Sequence, residues 1–204
     1  MKLAKCLGWA FLFLCSLAFA DESTPVAILV EISGAVAAGK GMEPWQALDK
    51  LRSGDSLELA PGTKLRLVYF DSGRQETWRG KARVVVGEKA GTAGPLKPEV
   101  EQVPALIAGQ LKRTPAKGAL GRSAMIVTRA GGANASRIAA ARSKYEQDRA
   151  SLGRESVLPD LAYLNELIAL QAFAEGRAHV DVLKQEGRAS DVVRRYEPLL
   201  SGGE

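Results

Sequence analysis

Few side chains in this sequence are suited to chemistry. Its 204 residues contain one histidine, His179, and two cysteines, Cys6 and Cys15. A serine triad would have to recruit His179 to a serine far away in sequence, and no Gly-x-Ser-x-Gly elbow is present. His179 therefore reads as a solvated or helix-capping side chain. With one imidazole, only a carboxylate-dominated metal site remains, and the acids lack EF-hand spacing. Paired carboxylates such as Glu99 with Glu101, or Asp71 with Glu76, have the types for general acid and base work. Ordinary exposed acids far outnumber catalytic ones and nothing marks either pair, so no enzyme activity, no metal and no cofactor are expected. Gly118–Gly121 and Gly131-Gly132 are not phosphate loops, because no Lys-Ser/Thr follows them.

Binding chemistry is better represented. Residues 102–145 hold eight basic and no acidic side chains: Lys112, Arg113, Lys117, Arg122, Arg129, Arg137, Arg142 and Lys144. The flanking segments are net negative, with 11 basic and 12 acidic residues over 21–101 and 7 and 11 over 146–204. Such a stretch either creates a field attractive to anions or is neutralised by the acidic C-terminal part. Trp45 and Trp78 are the other candidates. An exposed tryptophan stacks on sugars or anchors a partner protein, whereas a buried one fills a core short of aromatic bulk.

These residues must be carried by definable elements. Val26–Ile32, Ala35–Ala38, the alternating Leu57 and Leu59, Lys64–Phe70, Arg74–Arg79 and Ala82–Val86 read as short strands. Turns at Ser33-Gly34, Ala60–Thr63 and Asp71–Gly73 punctuate them. Lys64–Phe70 has the clearest period of two, with Leu65, Leu67 and Tyr69 opposite Arg66, Val68 and Phe70. No helical crossovers intervene, so the strands are expected to form a small antiparallel sandwich or barrel.

Residues 87–99 are rich in Gly, Pro and Lys and read as a linker. Pro104 opens a short helix to Leu111, 122–129 reads as one more strand, and 130–134 as flexible. Helices are then expected from Ser136 to Leu152, from Pro159 toward Gly176, around Val180 and Leu183, and from Ala189 or Ser190 onward. The fold class is thus α+β: an N-terminal β unit over 21–87, a basic linker over 88–135, and a helical hairpin or bundle over 136–204.

Within the β segment, Ser33-Gly34-Ala35-Val36, Trp45-Gln46-Ala47-Leu48, Ser53-Gly54-Asp55-Ser56-Leu57, Pro61-Gly62-Thr63, and Leu65–Phe70 running into Asp71-Ser72-Gly73 follow one another in a set order. In that order and spacing the segment resembles a FecR-type domain, the periplasmic β module of bacterial iron-dicitrate sensors. The family usually has Asp-Gly-Ser at that last turn. Its prototype also carries a cytoplasmic segment and a membrane span ahead of the β domain, in place of the leader described next, so direct control of a cytoplasmic sigma factor is not expected. Leu183–Arg188 with Val192, Tyr196, Leu199 and Leu200 resembles one tetratricopeptide helix pair. A lone pair cannot bury its own face and would pack on its neighbours.

The first twenty residues place Lys2 and Lys5 before an apolar run from Leu7 to Phe19 and finish Ala18-Phe19-Ala20. This is the pattern of a secretory signal cleaved after Ala20. Leu14 stands before Cys15 where a lipobox needs a small residue, so lipid anchoring is not expected. Both cysteines would leave with the signal, and no later run reaches the roughly 20 apolar residues of a membrane helix. A cysteine-free exported chain suits the bacterial periplasm. The sequence therefore points to an exported, non-catalytic binding module that contacts an envelope protein or an anionic envelope polymer, with no nucleic-acid partner. A sensor accessory acting in trans, and more remotely a carboxylate-dependent hydrolase, are the alternatives.

Overall fold

The strand with period two organises the molecule. In the computed structural model, which describes residues 24–38, 43–115, 131–188 and 190–201, β5 (Lys64–Tyr69) is buried on both sides rather than one. Leu65, Leu67 and Tyr69 enter one apolar cluster, and Val68 with the adjoining Phe70 enters another. Successive strand side chains point to opposite faces, so β5 must lie in a middle layer. It does, in a five-stranded sheet of order β3-β1-β5-β6-β9. The other members are β1 (Ala27–Ser33), β3 (Lys50–Leu51), β6 (Arg74–Arg79) and β9 (Glu99–Gln102). A second sheet of order β2-β4-β7-β8 uses β2 (Val36–Ala37), β4 (Ser56–Leu59), β7 (Ala82–Val86) and β8 (Gly91–Thr92).

Every pairing is antiparallel. Among the described residues both sheets end on unpaired strands, β3 and β9 in one and β2 and β8 in the other, and no closed barrel forms. Leu29, Leu51, Leu65, Leu67 and Trp78 of the larger sheet share a cluster with Leu57, Leu59, Val84 and Val86 of the smaller one. A register shift between Leu29 and Glu31 marks a bulge in β1. There Glu31 accepts from Lys64 at 2.7 Å and lies 3.3 Å from Arg66.

Helices cover the other face of the larger sheet. Ile28, Val30, Val68 and Phe70 pack with Ile107 and Leu111 of α1 (Ala105–Leu111), Leu161 and Leu164 of α3 (Leu158–Ala169), and Val180 and Leu183 of α4 (Phe173–Gln185). Val193 of α5 (Asp191–Arg194) and Leu200 of α6 (Glu197–Ser201) complete this cluster. Among the described residues, no helix is long and apolar enough to cross a membrane.

Two expectations are corrected. The segment read as a linker contributes β8 and β9, and β9 pairs with β6 from Arg74↔Gln102 to Thr77↔Glu99. All four β9 residues are exposed, so the strand has no buried face to give it an alternating pattern and is held by its ladder. Likewise α2 (Gly131–Leu152) starts at the glycines read as flexible rather than at Ser136. Asn134 Nδ2 donates to the Leu170 carbonyl at 3.4 Å, tying this first turn to the end of α3. The expected strand at 122–129 lies outside the described residues.

Candidate functional site

The site is built by two helices of opposite character. α3 carries Leu158, Leu161, Leu164 and Leu167 with few polar residues, and nine of its twelve positions are buried. It is the central helix of its layer, and a helix apolar nearly all round belongs there. By contrast α2 offers the narrow stripe of Ile138, Ala141 and Tyr145, which packs with Tyr163, Leu167, Leu170 and Ala172, and at its end Leu152, which packs against the main cluster. A narrow stripe holds the helix along one line and leaves its flank open.

That flank forms a cleft of about 250 Å³ between α2, α3 and the end of α1. Its lining recurs at helical spacing: Arg137, Ala140, Ala141, Lys144, Tyr145 and Asp148 from α2, and Pro159, Ala162, Tyr163 and Glu166 from α3, with Gln110 from α1. The floor is small and apolar, and the tyrosine rings stack on one side at 5.0 Å and 24°. Charges sit at the margin. Lys144 is held by Asp148 at 2.6 Å, and Arg113 approaches Glu166 at 3.8 Å.

Behind the tyrosines lies a buried carboxylate that sequence reading missed. Asp160 is 2% exposed. Tyr145 donates to its Oδ1 at 2.9 Å, Arg149 and Arg188 donate to Oδ2 at 3.2 and 2.9 Å, and His179 Nε2 lies 3.3 Å from Oδ1. A carboxylate buried this fully requires such pairing. The cluster joins the last turns of α2, the start of α3, the middle of α4 and the segment after α4. Burial first, then the Asp160 charge and hydrogen bond, raise the Tyr145 phenol far above its ordinary range. His179 stands edge-on to both tyrosines, at 4.9 and 5.0 Å. It is thus neither solvated nor a helix cap. The only advance signal was Asp160 in the first turn after Pro159, a position a helix dipole favours.

The other sequence candidates are dispersed. Trp78 is 1% exposed, inside the cluster between the sheets, with Nε1 donating to Glu76 at 3.1 Å. Of its two readings this is the core-filling one, which takes Trp78 out of the contact candidates, since its ring has no open face. Trp45 is half-buried against the same cluster and donates to the Ser56 carbonyl at 3.1 Å. Glu76 is fully buried, bound by Arg74 at 2.7 Å and by the Gly91 amide, while Asp71 is exposed and 3.7 Å from Lys112, so these two acids do not form a working pair. Glu99 and Glu101 share one face of β9 and engage Arg79 and Gln75 respectively. Arg137 and Lys144 line the cleft, whereas Arg142 is exposed on α2 outside it. Lys117, Arg122 and Arg129 lie outside the described residues. Acids thus face Lys112, Arg113 and Lys144, while Arg137 and Arg142 make no ion pair with a described residue.

Compared with protein-family models, with curated proteins and with solved structures, the chain matches none.

Proposed function

We propose that the protein is an exported, non-catalytic binding module of the bacterial cell envelope, in which a FecR-like pair of sheets is the scaffold and the helical layer makes the contact. The leader ending Ala18-Phe19-Ala20 supports export. The observation that carries the binding reading is the α1–α3 cleft, where an apolar floor is bordered by Arg137, a cation with no acidic partner among the described residues. The lining acids Asp148 and Glu166 are engaged by Lys144 and Arg113, so Arg137 is the charge left to meet an anionic group on a protein partner or an envelope polymer.

The test has two parts. Protein recovered from the periplasm of an expressing bacterium should begin at Asp21 by intact mass. Its retention on isolated envelope fractions should fall steeply from low to high salt, and should fall at low salt when Arg137, Arg142 and Lys144 are changed together to Gln. Retention insensitive to both salt and the triple change would move the contact to the sheets. No retention at all would remove the binding reading.

A further inference from the structure

The cleft is lined by two cations, Arg137 and Lys144, and two carboxylates, Asp148 and Glu166, and both acids are already engaged, by Lys144 and Arg113. Three of its polar side chains are left over by the fold: the Arg137 guanidinium, the Gln110 amide and the Tyr163 hydroxyl make no side-chain hydrogen bond or ion pair with a described residue, while Lys144 is occupied by Asp148 and Glu166 lies near Arg113. Arginine offers a planar fork that matches a carboxylate in bidentate fashion. A primary amide offers N–H donors and a carbonyl acceptor, the complement of a peptide group. Ala140, Ala141 and Ala162 add small apolar side chains to the same lining, a surface suited to a small apolar substituent. The volume, about 250 Å³, is below the roughly 300–1,000 Å³ of sites that enclose a whole drug-sized ligand. It suits the end of a longer molecule.

We propose that the cleft receives the C-terminal end of a peptide whose last residue is small and apolar, with its carboxylate on Arg137, its last peptide group on Gln110, and its side chain on the alanine floor. The inference rests on the binding reading above and names the ligand class for the same site. It requires no movement of the buried Asp160 cluster, since Tyr145 and Tyr163 present ring surface to the cleft while the Tyr145 hydroxyl stays on Asp160.

The experiment is a calorimetric titration of residues 21–204 with N-acetyl-trialanine bearing a free carboxylate, beside the same peptide as its C-terminal amide and beside acetate. The free acid should bind saturably and the amide about tenfold or more weaker, as should the acid on Arg137→Gln, on Gln110→Ala and on Ala140→Leu, which fills the cleft from an exposed position. Arg142→Gln, outside the cleft, should bind as the wild type does, and urea midpoints of all variants should stay near the wild-type value. Equal affinity for acid and amide, an unchanged Kd in Arg137→Gln, or no saturation by the acid would overturn the proposal. Binding of acetate as tight as that of the peptide would reduce the site to a simple carboxylate site and overturn it as well. Salt-sensitive envelope retention that persists while the peptide fails to bind would sink this inference alone, leaving the broader reading in place.

Discussion

At the scale of single residues, similar side chains have opposite roles according to depth. Trp78 fills the space between the sheets and its indole N–H is satisfied by Glu76, itself fully buried and bound by Arg74 and the Gly91 amide. Trp78→Ala should cost about 3–5 kcal/mol in urea unfolding, the range for deleting a buried aromatic. Trp45→Phe removes one hydrogen bond at a half-buried site and should cost about 1 kcal/mol. Asp160→Ala would leave Arg149 and Arg188 facing each other across an uncompensated space, and should cost about 3 kcal/mol, at the low end for a broken buried pair because Arg188 is partly exposed. Alkaline pH should act through the buried phenols. Burial raises Tyr69, Tyr145 and Tyr196 above their ordinary 10, so the folded state holds protons the unfolded state has lost. Their contribution is complete below pH 10 and declines as pH rises above it. Lys50, lowered by burial, acts with the opposite sign just below its ordinary 10.5. Urea midpoints should therefore drop between pH 10 and 12, and Tyr196→Phe should flatten that drop.

At the scale of elements, helix ends were only partly legible. Gly187 at φ 68° ends α4 with its amide on the Lys184 carbonyl and the Arg188 amide on Leu183, the paired bonds of a Schellman motif. A glycine just past a helical run such as that around Val180 and Leu183 is a stop signal of a kind sequence displays. The same motif ends α3, with the Gln171 amide on Ile168 and the Ala172 amide on Leu167, but Gln171 occupies the left-handed position at φ 56°. Nothing in a glutamine announces this conformation, which costs an L-residue about 1 kcal/mol or more. Gln171→Gly should accordingly stabilise the protein by about 0.5–1 kcal/mol in urea, and a loss of stability would show that the side chain has a compensating role. β9 escaped reading because exposure on both sides gives no periodic signal, and the early start of α2 because two glycines oppose a helix by propensity alone.

At the scale of the whole molecule, the larger sheet is a shared wall. Its inner face packs on the smaller sheet and its outer face on the helices, and Arg195 donates to the Ala47 carbonyl at 2.6 Å and to the Gln46 side chain, linking the C-terminal helices to the loop before β3. Tryptophan fluorescence, which reports on the sheets through Trp45 and Trp78, should therefore follow the same urea transition as far-ultraviolet circular dichroism, which is dominated by the helices. Two separated transitions would show that the layers unfold independently. Residues 21–102 alone would expose Ile28, Val30, Val68 and Phe70 together, and should associate rather than remain monomeric in sedimentation.

The sequence by itself determined the α+β class, the antiparallel strands at 64–69, 74–79 and 82–86, and the short helix after Pro104, because each rests on a local period or turn. It also singled out Arg137 and Lys144, though only among eight basic residues of equal standing. Only tertiary structure decided that both faces of β5 are buried, that Trp78 is core, that His179 serves Asp160, and that the α2 flank is a cleft. The physical reason is that periodicity records how a segment alternates, while burial on a second face depends on which distant segment arrives to cover it.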